Sequence, residues 1–502
     1  MTLIENLARG RQLNTGLAVD LVQRWKDKFR AHAEMKEVGE NSLRFVVDLS
    51  EIRLRGMNET ACLLLGGEGE AVTEALHAFR QKHAVSAGVP FVLAVSEAAL
   101  AQAQAVLPAE RCLILNAPQV TQLLESAESR TLLTQWLREQ IPLRRLVPYN
   151  HLLSVEGGMF FGRRQELERL HHDADVSFAV AGPGRIGKTS LVKQYKYELA
   201  RARDPQSTRC VYIDFYHCRR FPNDVARFLA MALESSRRSS EVTAAGLVDF
   251  LKYMAYRLGG RIDLLLDEVD EVCDSGAFDY LGEAAKHGHC RLILCGRGRL
   301  LKTMTQQSSS LAHRLDLMRL NPLDEESART LLAAPLRDLG FELEEPERLF
   351  EQVFRLTGRL PNFMQFYARK LVELAIDERR NTLSAAQAEM LQWDFETAQF
   401  FISPLQDISS DRARFTAMML LKDTRREFTP TQVCRLAAQH GLPLKDAEML
   451  EICNELVIVN VLAWDRGVFR VANEALTEFA RQLGVLDRMY DEARRELSQQ
   501  TE

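Results

Sequence analysis

The sequence predicts a multidomain α/β protein: an N-terminal parallel α/β domain, a second α/β core, a helical lid and a C-terminal winged helix. Three observations carry this. A chain of 502 residues is too long for one compact core, so several domains are expected. Short apolar runs leading into helix-like segments occur in two separate series, the pattern of parallel sheets with crossover helices. Between the series lies "IPLRRLVPYNHLLSVEGG", a linker containing proline and glycine.

Residues 1–40 are expected to be helical, since "GLAVDLVQRWKDKFRAHAEM" carries apolar residues at helical spacing. The runs "LRFVVDL", "ACLLLGG", "PFVLAV" and "CLILNA" read as strands and complete a domain over residues 1–148. Residues 149–322 hold a second strand set, "VSFAVAG", "RCVYIDF", "IDLLLDE" and "CRLILCG". After "LNPLDEE" strand signals stop, and residues 323–398 read as the helical lid. Residues 399–485 combine helices with two strands, "VIVNVLAW" and "GVFRVA", joined by "DRG", the pattern of a winged helix; residues 486–502 form a charged helix and tail.

Bulk properties narrow the function classes. A net charge of −5 gives no overall pull toward nucleic acid or anionic membrane. No apolar stretch approaches the roughly 18–20 residues that span a bilayer, and "MTLIENLARGRQLNTG" lacks a signal-peptide core. Nine cysteines, an odd number without a CxxC pair, sit mainly in apolar runs. They suit a reduced, cytoplasmic chain. His217 and Cys218 have no second pair at metal spacing, so no structural metal is expected there.

The chemistry begins at "AGPGRIGKTS", placed directly after the apolar run "VSFAV". It fits G-x-x-x-x-G-K-[ST] through Gly182, Gly187, Lys188 and Thr189, with Pro183, Gly184, Arg185 and Ile186 inside the loop and Ser190 following. Glycines let backbone N–H groups turn inward around phosphate oxygens, and the helix starting near Lys188 adds its positive dipole end. Lys188 would bridge β- and γ-phosphates while the Thr189 hydroxyl ligates magnesium. ATP or ADP with Mg2+ is therefore the expected ligand set. "RIDLLLDEVDEV" ends a buried strand in Asp267, expected to hold the metal through water, and Glu268, expected to act as general base. The next strand ends in Arg297 and Arg299, and Arg297 would meet the γ-phosphate. Arg314, just before the final core strand, is placed to reach a neighbouring subunit's γ-phosphate in an oligomer.

These elements in this order resemble the STAND branch of P-loop ATPases, close to AAA+ initiator-type and archaeal-type ATPases, over residues 157–480. The resemblance rests on "FFGRRQEL", "GPGRIGKT", "LLLDEVD", the strand-end "GR", "LNPLDEESARTLL" and "TGRLP". It implies that Phe161, Gly162 and Arg163 line the adenine pocket and that Gly358 and Pro361 of the lid pack on the base. The family more often shows Gly-x-Pro, and "GRLP" has one more residue. It also implies a slow switch: ADP holds a closed monomer, ATP exchange permits a homo-oligomer, and the setting is prokaryotic stress or antiviral signalling. Without a repeat array, the sensor falls to the winged helix, the N-terminal domain or a separate subunit.

Two other readings stay open. The winged helix would make the chain a DNA-associated AAA+ ATPase of initiator or loader type. Its groove-reading segment "LKDAEMLEICNEL" carries Asp446, Glu448, Glu451 and Glu455, which repel phosphates. Arg435, Arg466 and Arg470 add little, so protein packing is favoured, though Lys422, Arg425 and Arg426 keep DNA as an alternative. In the N-terminal domain Asp48 and Ser96 follow strands, where α/β folds bind ligands and where helix caps also occur. No catalytic grouping is visible there, so an adaptor meeting a protein partner is expected, with an ATP-gated enzyme as the other possibility.

Overall fold

Helical spacing in the first segment ends sooner than its composition suggests. A helix spans Thr15–Phe29 and buries Ala18, Leu21, Val22, Trp25 and Phe29, a single apolar stripe. Residues Ala33–Val38 then form a strand rather than more helix. This edge strand buries little beyond Ala33, so its backbone ladder to the next strand, not its side-chain pattern, sets its conformation. The computed structural model describes residues 15–499 apart from 30–31, 40, 84–87, 109, 203, 221–223, 235, 306–310, 312 and 392–393. The expected helicity of residues 1–14 and the last three residues of the tail lie outside the described residues.

The N-terminal sheet has five strands in sequential order: β1 (Ala33–Val38), β2 (Ser42–Val47), β3 (Thr60–Leu65), β4 (Phe91–Ala94) and β5 (Leu113–Asn116). Only β3, β4 and β5 are parallel; β1–β2 and β2–β3 pair antiparallel. Crossover helices Glu70–His83 and Glu97–Val106 explain the difference, since β1 and β2 have no helix between them.

The central sheet is fully parallel. Its strands are β6 (Ser177–Ala181), β7 (Cys210–Asp214), β8 (Ile262–Asp267), β9 (Cys290–Gly296) and β10 (Leu315–Arg319), in the order β10-β6-β9-β8-β7. Strands β8 and β9 are buried at every position, as expected of a sheet covered on both faces. Two charges interrupt that core, Asp263 and Arg291, 3.5 Å apart. Arg291 also donates to the carbonyls of Leu170, Asp173 and Val176 and to the Tyr195 hydroxyl, which accounts for its burial. Because β9 lies between β6 and β8, the three strand ends that carry the sequence motifs open on one edge.

Helices Glu325–Leu339, Pro346–Thr357 and Pro361–Asp377 follow. Beyond them, helices Asp411–Lys422, Pro430–Gln439 and Asp446–Ile458 are joined by a three-stranded sheet of Glu427–Phe428, Val468–Val471 and Leu462–Asp465. The expected strand "VIVNVLAW" is a strand only over its last part: Val457 and Ile458 finish the preceding helix, and Asn460 turns the chain with φ 61°. The helix Val485–Gln499 packs back on Asp411–Lys422.

The N-terminal sheet is keyed to the helix Lys188–Arg201. Tyr197 donates to Asp48 Oδ2 at 2.5 Å and lies 2.6 Å from Ser50 Oγ, and Arg201 pairs with Glu51 at 2.7 Å. Burial, with the Asp48 carboxylate alongside, pushes the Tyr197 phenol up to about 12, so it keeps its proton and donates. Asp48 is thus an interdomain anchor rather than an open ligand site. Ser96 caps a helix by accepting from the Ala99 N–H at 3.1 Å. A Cβ at Gly158 would overlap the Ser50 carbonyl. Gly158→Ala is therefore expected to lower stability by about 1–3 kcal/mol through overpacking, read as a reduced denaturation midpoint; an unchanged midpoint would contradict this docking.

Candidate nucleotide-binding site

The loop after β6 is shaped by two left-handed residues, Arg185 (φ 65°) and Gly187 (φ 99°), a backbone pattern suited to gathering N–H groups around an anion. At Gly182 a side chain would fit tightly, since a Cβ there would lie 3.2 Å from the Leu320 carbonyl oxygen. Lys188 is 7 % exposed, and its Nζ donates to the carbonyls of Gly182 (2.9 Å) and Pro183 (2.8 Å). Burial, then repulsion from Arg297, lowers its pKa to about 8. Those carbonyls satisfy donors but bring no net negative charge. An anion in the loop would supply what they lack.

Facing the loop, Asp267 gathers three donors. Thr189 Oγ1 donates to Oδ2 at 2.6 Å, the Tyr212 hydroxyl to the same oxygen at 2.9 Å, and the Glu268 N–H to Oδ1 at 3.0 Å. Thr189 and Asp267 thus lie together where the Thr189 hydroxyl would ligate a hard cation and Asp267 would hold it through water. Among the described residues no group of three or more His, Cys, Asp or Glu could hold a metal unaided; the side chain of His217 lies outside them.

Glu268 sits in the left-handed region (φ 53°), and its Oε1 lies 3.7 Å from Arg297 Nη2. The turn after β9 is fixed by Asp270, whose carboxylate accepts from the N–H groups of Arg297 (2.5 Å), Arg299 (3.0 Å) and Leu300 (3.2 Å). Arg297 Nε is buried without a partner. Arg299 turns away to Asp274 at 2.7 Å.

A cavity of about 480 Å3 joins these groups to Phe161, Arg163 and Pro361, which come from segments far apart in sequence. Gly162 (φ 73°) leaves no space for a Cβ, 2.9 Å from Ser327 Oγ. Arg163 lines the cavity mainly as a brace: its guanidinium donates to the carbonyls of Ile186 (3.1 Å) and Asn321. Ser190 Oγ accepts from the Val155 N–H at 3.1 Å and ties the linker to the loop. Gly358 does not reach the cavity; its left-handed turn (φ 59°) packs against the Ala472 carbonyl. Arg314 is not in this chain's cavity either. It lies at the opposite, N-terminal end of β10, against Gly282.

Sequence reading missed several wall residues. Asn362 and Gln365 follow Pro361 at helical spacing, a signal that could have named them. The Asn362 amide donates to the His151 carbonyl, and Gln365 Oε1 accepts from the Asn150 N–H at 3.0 Å. The C-terminal segment also reaches the phosphate loop. The Gly184 N–H donates to the Ile458 carbonyl at 3.1 Å, and the Asn460 amide donates to the Gly184 carbonyl. Arg185 donates to Ser403 Oγ at 2.5 Å with its guanidinium over the rings of Phe400 (5.1 Å) and Phe363 (5.6 Å). Both Gly184 and Arg185 are expected to face nucleotide; the Gly184 peptide is engaged by protein, whereas Arg185 lines the cavity with its guanidinium tied to Ser403.

Residues 148–501 match the family described as Novel STAND NTPase 1. The chain belongs to that family. Among solved structures, similarity extends to a Walker-type ATPase of Pyrococcus abyssi (14% identity, TM-score 0.47, covering 64% of this chain and 96% of that one). The ORC2 protein of Aeropyrum pernix in ADPNP–ADP complexes is similar at 15% identity and TM-score 0.44, over 66% of this chain and 94% of that one. No curated protein matches the sequence. Among the described residues of this STAND NTPase, no helix is long and apolar enough to cross a membrane.

The Lys188 environment gives a pH signature. Phosphates beside the ammonium raise its pKa from about 8, so between the free and bound values binding takes up a proton. Below pH 8 that uptake vanishes; above it, affinity falls by about tenfold per pH unit. Calorimetry at pH 9 in buffers of different ionisation enthalpy measures the uptake, and its absence would contradict the assignment.

Proposed function

We propose that this chain is an ATP-dependent switch of the STAND type that binds and slowly hydrolyses ATP with Mg2+. The observation carrying the reading is the shared Gly184 peptide: one phosphate-loop residue is held at its N–H and its carbonyl by the C-terminal segment. That segment, read as a winged helix, closes over the loop in the resting state. Amides of the loop, the Lys188 ammonium and the helix N-terminus cradle the polyphosphate, while Thr189 and Asp267 hold the metal. Bound Mg2+ would neutralise charge on the β- and γ-phosphates. Glu268 takes the proton of the attacking water, and Arg297, drawn from Glu268, meets charge on the γ-phosphate. A γ-phosphate competes with Ile458 and Asn460 for space at Gly184, frees the C-terminal segment and permits a homo-oligomer in which Arg314 serves the neighbouring site. The N-terminal domain, keyed through Tyr197 and Arg201, passes the change to a protein partner.

The DNA-binding alternative has weaker support. The helix Asp446–Ile458 ends against Gly184 and Gly298. Of the basic residues that keep it open, Lys422 pairs with Asp487 and Arg425 with Asp423, and Arg426 Nη1 is buried without a hydrogen-bond partner; in the wing, Arg470 pairs with Glu427 and Asp465.

Glu268→Gln is expected to keep ATP binding and slow single-turnover hydrolysis by about 10²–10⁴; hydrolysis at the parent rate would remove Glu268 as base. Asn460→Ala is expected to speed release of a fluorescent ADP and to shift the mass distribution toward oligomer with a non-hydrolysable ATP analogue. If both match the parent, the Gly184 contact does not govern the switch.

A further inference from the structure

A cleft of about 960 Å3, separate from the nucleotide cavity, lies between the N-terminal domain and the end of the helix Glu325–Leu339. Arg53, Arg130 and Arg138 line one wall, and Arg337 and Arg380 the other. Five arginines therefore face three carboxylates, in a chain whose net charge is −5. The carboxylates are already engaged. Glu51 pairs with Arg130 and Arg201, Asp338 pairs with Arg53 at 3.3 Å, and Glu139 accepts from Gln135 at 2.8 Å. Arg380 pairs with Glu378 at 3.5 Å, whereas among the described residues Arg138 and Arg337 have no acidic partner, and Arg53 Nε is buried with no hydrogen bond.

An interface that only had to adhere would set opposite charges face to face, because like charges across it are repulsive. Here guanidinium groups line both walls with surplus positive charge, and their planar forks match phosphate oxygens. We propose that this cleft binds a small phosphate-bearing anion that bridges the N-terminal domain and the lid. The site is coupled to the nucleotide cavity at two points. The Arg53 guanidinium lies 6.0 Å from the ring centre of Phe161, a cavity wall, and Glu51 pairs with Arg201 on the helix after the phosphate loop. An anion that draws Arg53 and Arg130 toward itself loosens their contacts with Asp338 and Glu51, and so bears on both. The competing explanation is that Arg138 and Arg337 merely complement the C-terminal dipole of the helix Glu325–Leu339.

The test uses pyrophosphate as probe on the full chain, with the phosphate loop saturated by ADP and Mg2+, and in parallel on Lys188→Ala, so that failure of the nucleotide reading does not affect it. Calorimetry is expected to show pyrophosphate binding in both backgrounds. The double variant Arg138→Gln, Arg337→Gln is expected to bind it at least about tenfold more weakly, with an unligated melting temperature no lower than the parent's. No binding in either background, or equal binding by the double variant, overturns the proposal. So does a double variant that melts lower without altered binding, the mark of a purely structural role.

Discussion

A buried ammonium sets the terms for the rest of this molecule. Lys188 is removed from water with two carbonyl oxygens of its own loop as partners. Dipoles of that kind satisfy donors without cancelling charge, so the site is poised for an anion before one arrives. The strand order serves this arrangement. With β9 inserted between β6 and β8, Asp267, Glu268 and Arg297 reach the same edge as the loop. The buried Asp263–Arg291 pair, near the other end of those strands, holds the helix at Leu170 and the Tyr195 hydroxyl, fixing the floor on which the loop stands.

The loop is also where the domains meet. The Gly184 N–H donates to the Ile458 carbonyl, so in the proposed switch a phosphate drawing on that N–H would compete with the C-terminal segment. On the far side, Tyr197 and Arg201 of the same helix carry Asp48, Ser50 and Glu51 of the N-terminal domain. The loop and the helix that follows it thus contact both flanking domains. Gly158, wedged beneath Ser50, and Gly298, beneath Ile458, let these surfaces approach closely.

The phosphate loop, the Asp267–Glu268 strand end and Arg297 were legible in sequence because each is a local pattern whose spacing implies its geometry. Pro361 and Phe161 were legible only through family resemblance. The Ala33–Val38 strand was not, since its side chains are mostly exposed and its hydrogen-bonding partner defines it. Asp48 looked like a ligand position because strand ends in α/β folds often are; Tyr197, distant in sequence, claims it. Asn460 gave no signal at all. Its role depends on a left-handed turn (φ 61°) that follows a helix running longer than its β-branched residues suggest.

The central claim is that this loop holds a polyphosphate through Lys188, and titration of ATP and ADP with Mg2+ into pure, folded chain addresses it without intermediaries. Saturable binding near one nucleotide per chain, abolished in a folded Lys188→Ala variant, is the expected result. No heat and no bound nucleotide with the parent chain, or undiminished binding by the variant, would contradict it.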